Sequence, residues 1–189
     1  MQGEITLVTG GARSGKSAFA ESICTKVGNK IGYIATAQAL DEGMVERIKR
    51  HQERRPDSWV TFEKQQNLHE IFADENANTF DVFLLDCLTV LTTNIMLSDQ
   101  SIDWDTIPRE HINQIEENAL VQLSQLIDSI INGGHQVVVV TNEVGLGIVP
   151  ENRLARVFRD IAGKANELIA KSAVDVHFVV SGIPMKIKG

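Results

Sequence analysis

Residues 10–17, Gly10-Gly11-Ala12-Arg13-Ser14-Gly15-Lys16-Ser17, follow directly on the apolar run Ile5-Thr6-Leu7-Val8 and lead directly into Ala18-Phe19-Ala20-Glu21-Ser22-Ile23. Strand, glycine turn and helix in that order form the setting in which G-x-x-x-x-G-K-[ST] is a phosphate-binding loop rather than a chance match. Gly10, Gly11 and Gly15 can take backbone angles closed to other residues and leave room for main-chain N–H groups to surround phosphate oxygens. The helix that begins at the loop adds its positive end. Lys16 supplies a point charge for the β- and γ-phosphates, and the Ser17 hydroxyl suits a magnesium ion carried by a nucleoside triphosphate.

The chain beyond the loop repeats the alternation. Residues 30–36 read as a short buried strand, and a helical segment is expected over 41–54, stopped by Pro56. Another short strand is expected over 59–62, then a polar helix-like piece over 67–74. Phe80-Asp81-Val82-Phe83-Leu84-Leu85-Asp86 has the pattern of a central parallel strand ending in a carboxylate. From Ile112 to Ile130 the apolar residues recur at three- and four-residue steps, which predicts a long amphipathic helix over 108–132 with Pro108 in its first turn and Gly133 at its end. A buried strand over 136–142, a second long helix over 152–173 and a last strand over 176–180, with 185–188 hairpinned beside it, complete the pattern. The expected fold is α/β: a single P-loop nucleotide-binding domain over 1–189, RecA-like, its mostly parallel sheet flanked by helices. Ligands of such sheets bind outside the carboxyl ends of the strands, so residues 10–17, Thr36, Asp86 and 141–143 are expected to converge on one rim.

Composition narrows the function. A chain of 189 residues is long enough for one full hydrophobic core. The net charge of −7 argues against a general nucleic-acid binder, which needs a basic groove. Cys24 and Cys87 have neither metal-ligand spacing nor the density of a secreted disulfide framework, and read as buried thiols in a reducing compartment. The core strand begins within a few residues of Met1 and no apolar run is long enough to span a bilayer, so the expectation is a cytoplasmic protein without a signal peptide or membrane span.

Four further groups of residues bear on chemistry. Asp86, at the end of its apolar strand, stands where a P-loop protein keeps the acid that holds magnesium; the plainer reading is a cap for the segment 88–96. Arg47, His51 and Arg54 recur at i, i+4 and i+7 and share one helical face, with Arg50 and Arg55 nearby. That face reads either as a solvated basic surface bordered by a histidine or as a neutral imidazole among arginines, able to attack phosphorus. Thr141-Asn142-Glu143 brings an amide and a carboxylate to the rim, as part of the site or as an ordinary strand-to-helix turn, and Glu143 is the candidate general base there. Arg153, Arg156 and Arg159 recur every three residues, and a solvated or subunit-contacting face is expected. No histidine pairs with Cys, Asp or Glu at metal-ligand spacing.

Taken together, residues 10–17, Tyr33-Ile34-Ala35-Thr36, the stretch Arg47-Ile48-x-x-His51-x-x-x-Arg55-Pro56-x-x-Trp59-x-Thr61-x-Glu63, and Thr141-Asn142-Glu143-Val144-Gly145-x-Gly147-Ile148-Val149-Pro150-Glu151-Asn152-Arg153-Leu154-Ala155-Arg156 resemble the bifunctional adenosylcobinamide kinase/adenosylcobinamide-phosphate guanylyltransferase family of cobalamin synthesis. The likeness covers nearly the whole chain, and its last motif is far more specific than the P-loop. It implies phosphorylation of adenosylcobinamide, then transfer of GMP from GTP to the product through a GMP-histidine intermediate. His51 matches the guanylylated histidine, with Lys16 as the other catalytic residue. The resemblance also implies nucleotide contacts from Gly10, Gly11, Ala12, Arg13, Ser14, Gly15, Lys16, Ser17, Ala35, Thr36, Ala37, Gln52, Glu53, Arg54, Arg55, Glu63 and Asp86. It further implies Mg2+ on Ser17 and Asp86, GTP and ATP as substrates, and a homotrimer with sites at subunit boundaries. Beside it stand a P-loop kinase for another small metabolite, with His51 structural, and a RecA-like nucleotide-dependent switch acting on a partner.

Overall fold

The computed structural model describes residues 2–37, 56 and 58–189. The expected helix over 41–54, and with it Arg47, His51, Gln52, Glu53, Arg54 and Arg55, lies outside the described residues. Seven strands form one sheet: β1 (Glu4–Gly10), β2 (Ile31–Ala35), β3 (Val60–Glu63), β4 (Val82–Asp86), β5 (Gln136–Val140), β6 (Asp175–Val180) and β7 (Ile183–Lys188). Their spatial order is β3-β2-β4-β5-β1-β6-β7. Every neighbouring pair is parallel except β6 and β7, which form an antiparallel hairpin at the edge. Among the described residues the helices are α1 (Lys16–Val27), α2 (His69–Ala73), α3 (Leu88–Met96), α4 (Arg109–Gly133) and α5 (Arg153–Ser172), with a 3-10 turn over Glu75–Thr79.

Strand side chains point alternately to the two faces, and the central strands are apolar on both. Val8, Val82, Leu84, Val138 and Val140 pack with Ala20 and Cys24 of α1 on one face. Ile5, Leu7, Phe83, Leu85, Val137 and Val139 join the larger core under α2, α3, α4 and α5 on the other. Phe83 centres an aromatic group in that core, with ring centroids 5.0 Å from Phe72, 5.2 Å from Phe80 and 5.9 Å from both Phe62 and His135. Such pairs add about 0.5–1.5 kcal/mol each beyond the area they bury. Gly32 makes the arrangement feasible, because a Cβ there would lie 2.5 Å from the Phe83 ring. His135, a glycine-turn residue in the sequence, is buried against these rings, and burial pushes its pKa down.

The sequence expectations need three corrections. The helix over 67–74 shrinks to His69–Ala73 and gives way to the 3-10 turn, where the Asp74 side chain accepts from the Asn76 N–H. The long helix α4 runs through Gly133 and ends at Gly134, which at φ 75° occupies the left-handed C-cap. Arg153 and Arg156 do not form a solvated face. Arg153 Nη1 and Nη2 donate to the carbonyls of Asp105 and Ile107, and Arg156 Nη1 donates to those of Pro150 and Glu151. Both guanidinium groups therefore fasten the chain entering α4 and α5, where loop carbonyls outcompete water for a fixed fork of donors. Arg159 pairs with Asp160 at 3.2 Å.

Candidate functional site

Sheet register builds the rim. Glu63, Ala35, Asp86, Val140 and Val8 are successive partners across five strands, so they form one row at the carboxyl ends of β3, β2, β4, β5 and β1. At about 4.8 Å per strand the row spans about 19 Å. Gly10 lies two residues beyond Val8 and opens the phosphate loop at one end of the row. Ala35, Thr36 and Ala37 lie near its other end, beside Glu63. The sheet thus brings together residues 10–17, 35–37, Glu63, Asp86 and 141–143 on one rim, as the motif order requires.

The loop itself has the backbone that an anion cradle needs. Gly10 has φ 152°, Arg13 φ 56° and Gly15 φ 95°. Gly15 is the N-cap of α1 and offers no side chain to its first N–H groups, which leaves that end open to a ligand. Lys16 is buried, and its Nζ donates to the Gly11 carbonyl at 2.6 Å, arching back over the loop. Ser14 is buried as well, and its Oγ has no hydrogen-bond partner among the described residues. Ser17, in the first turn of α1, is half-buried.

A chain of polar contacts runs under the rim from β2 to α5. Thr36 Oγ1 donates to the Cys87 carbonyl and accepts from the Cys87 N–H, each at 3.0 Å. Cys87 Sγ lies 3.1 Å from Thr89 Oγ1, which accepts from Asn142 Nδ2 at 2.8 Å. Asn166 Nδ2 donates to the Asn142 carbonyl, and Asn166 Oδ1 accepts from the Thr141 hydroxyl at 2.6 Å. Asn94 Nδ2 donates to the Thr36 carbonyl at 2.8 Å. Sequence reading found Thr36, Thr141 and Asn142 but missed Thr89, Asn94 and Asn166. The last three sit on helices and carry no signal beyond a polar residue in a helical run.

The Thr36 hydroxyl spends its one proton on the Cys87 carbonyl and accepts the Cys87 N–H, so it locks this residue to the end of β4. Burial and the neighbouring Asp86 push the Cys87 thiol up, and burial together with Glu21 pushes Cys24 up to about 12. Both are protonated, packed thiols, as expected from the sequence. Glu143 is anchored next to the loop. Its N–H donates to the Gly10 carbonyl at 3.0 Å, and its Oε1 accepts from the Gly145 N–H at 2.5 Å. The turn beyond it exposes Leu146, Ile148 and Val149.

The donor set at the rim suits a hard, oxygen-ligated cation shared with a phosphate, through one carboxylate and one hydroxyl. Among the described residues no cluster of three or more His, Cys, Asp or Glu side chains is arranged to hold a metal by itself. No described helix is long and apolar enough to cross a membrane.

A family model described as cobinamide kinase / cobinamide phosphate guanyltransferase matches residues 6–187. The chain belongs to this family. Among the family's curated proteins, the bifunctional adenosylcobalamin biosynthesis protein CobU of Escherichia coli (strain K12) is 48% identical over 184 residues, covering 96% of this chain and 98% of the relative. CobU of Salmonella typhimurium (strain LT2) is 43% identical over 188 residues, covering 96% and 98%. The bifunctional protein CobP of Pseudomonas aeruginosa (strain PAO1) is 40% identical over 184 residues, covering 97% and 96%. As a member of the cobinamide kinase / cobinamide phosphate guanyltransferase family over residues 6–187, the chain is a bifunctional transferase of adenosylcobalamin biosynthesis.

Proposed function

We propose that both reactions run on the single domain 1–189 and use the phosphate loop, with His51 carrying GMP between them. The observation that supports this reading is the rim row from Glu63 to Val8, continued by the loop at Gly10. It offers one track for a nucleoside triphosphate, with acids at one end and in the middle and an anion cradle at the other. In the kinase step the loop N–H groups and Lys16 hold the triphosphate of ATP or GTP, and the corrinoid hydroxyl attacks the γ-phosphorus. Glu143, beside Gly10, accepts the hydroxyl proton. Ser17 and Asp86 would hold Mg2+, which neutralises charge on the phosphate oxygens.

In the guanylyltransferase step a ring nitrogen of His51 attacks the α-phosphorus of GTP. A P–N bond forms, the bond to the bridging oxygen breaks, and pyrophosphate leaves to the cationic loop. A phosphate oxygen of adenosylcobinamide phosphate then attacks the same phosphorus and frees the imidazole. Gln52, Glu53, Arg54 and Arg55, with Ala35, Thr36, Ala37 and Glu63, contact the guanine nucleotide in this reading. Arg13 and the loop residues Gly10, Gly11, Ala12, Ser14 and Gly15 contact its phosphates.

The exposed apolar side chains of Leu146, Ile148 and Val149 suit a large amphipathic corrinoid or a neighbouring subunit, in keeping with a cytoplasmic homotrimer whose sites lie at subunit boundaries. The test is the intact mass of the protein after incubation with magnesium and GTP. An increase by one GMP, lost in mild acid and absent in His51→Ala, supports the reading. A wild-type protein that phosphorylates the corrinoid but gains no mass rules out the histidine intermediate.

A further inference from the structure

The edge hairpin of β6 and β7 reaches the phosphate loop. Its turn has only two residues, Ser181 at φ 51° and Gly182 at φ 82°, between the paired residues Val180 and Ile183. Positive φ at both central positions is the pattern of a type I′ turn, whose twist matches the strands it joins. Such a turn uses the N–H of its fourth residue and leaves the third free to bond outward. Here the third is Gly182, and its N–H donates to the Ser14 carbonyl at 2.8 Å.

Two more contacts accompany this bond. A Cβ on Gly15 would lie 3.2 Å from Gly182 Cα, and one on Gly10 would lie 2.3 Å from the Val179 carbonyl oxygen. The start, middle and end of the loop therefore rest on β6 and its turn. Gly182 itself has open space where a Cβ would stand, so it meets the loop through main chain alone.

A trans peptide points its C=O and its N–H in opposite directions. Fixing the Ser14 carbonyl toward the hairpin therefore turns the Gly15 N–H away from it, toward the side where the loop closes on phosphate. We propose that Gly182 is a positioning residue for nucleotide binding, whose N–H aims the Gly15 N–H into the phosphate cradle by holding the Ser14 carbonyl. This rests on the reading of residues 10–17 as the triphosphate site. The consequence is that the β6–β7 turn, distant in sequence from the loop, belongs to the nucleotide site through its bond to Ser14. Misaiming a donor that meets a charged phosphate weakens binding about ten- to hundredfold.

The test exchanges the Gly182 amide for an ester by joining a synthetic C-terminal segment, which removes the N–H and leaves the turn's geometry. Magnesium–GTP affinity and the nucleotide-induced rise in melting temperature are measured beside Gly182→Asn and Lys16→Ala. Asparagine accepts positive φ and keeps the N–H. The expected result is a ten- to hundredfold loss of GTP affinity in the ester protein, an unchanged melting temperature without nucleotide, and near wild-type binding by Gly182→Asn. Wild-type affinity in the ester protein, with Lys16→Ala defective, overturns the proposal. So does an ester protein that melts early without nucleotide, which would make the bond purely structural. If Lys16→Ala also binds as wild type, the triphosphate site itself is misassigned.

Discussion

Thr36 Oγ1 holds both main-chain groups of Cys87, at 3.0 Å each, and so ties the end of β2 to the residue that follows Asp86. The bond is fully buried, where water cannot replace a lost partner. Thr36→Val keeps the shape but orphans the Cys87 N–H, and is expected to lower unfolding free energy by about 1–3 kcal/mol. Thr36→Ser should recover most of that loss. Urea denaturation of the three proteins measures it.

Lys16 is the buried cation of the loop, with its Nζ on the Gly11 carbonyl. Lys16→Ala should reduce corrinoid phosphorylation by about 10²–10³ in kcat, the usual size of one lost electrostatic partner in a transition state. On the proposal that one triphosphate track serves both reactions, covalent guanylylation should fall with it. Retained guanylylation would require a second GTP site.

Glu143→Gln leaves an oxygen for the Gly145 N–H and the main-chain bond to Gly10 intact. It removes only the carboxylate proposed to accept the proton. Corrinoid phosphorylation is expected to drop by about 10²–10⁴, while the GMP adduct forms at the wild-type rate. Equal losses in both assays would mean that the turn, not the carboxylate, matters.

The N–H groups of Lys30 and Asn29 both point at Asp81 Oδ2, at 2.9 Å, and hold its carboxyl below the usual range. A carboxylate with a depressed folded pKa stabilises the fold above its unfolded value, about 3.9, and that contribution is lost as pH falls through the folded value. Asp81→Asn should therefore melt below wild type at neutral pH. The gap should close as the pH drops below about 4, as followed by thermal melts across an acid series.

Cys24, with its pKa at about 12 and no exposed surface, should resist alkylation at pH 8. Modification counted by mass should appear only when denaturant opens α1.

The rim was legible because its parts follow the strand ends in chain order. Gly10, Asp86 and Thr141 each close an apolar run, and apolar runs flanked by helices can only become central parallel strands. The cross-links beneath the rim were not legible. Asn94 and Asn166 look like solvent-facing helix residues until the sheet places their helices over the ends of β2 and β5. Arg153 and Arg156 misled for a related reason: a three-residue period says which face they share but not which carbonyls the loops bring to meet them. Ser181-Gly182 is a turn signal of an ordinary kind, and only the sheet order reveals that its turn ends beside Ser14.

The strand that carries the phosphate loop is flanked by β5 and β6, whose partners for β1 begin at Gln136 and Asp175. During synthesis the loop emerges before both neighbours and waits more than a hundred residues for either, so loop-closure entropy is paid before any of its sheet contacts form. Half-made chains, and fragments cut before β5, hold the whole binding motif without the wall that shapes it. A loop walled on both sides belongs only to a molecule whose β5 and β6 have already come to rest against β1.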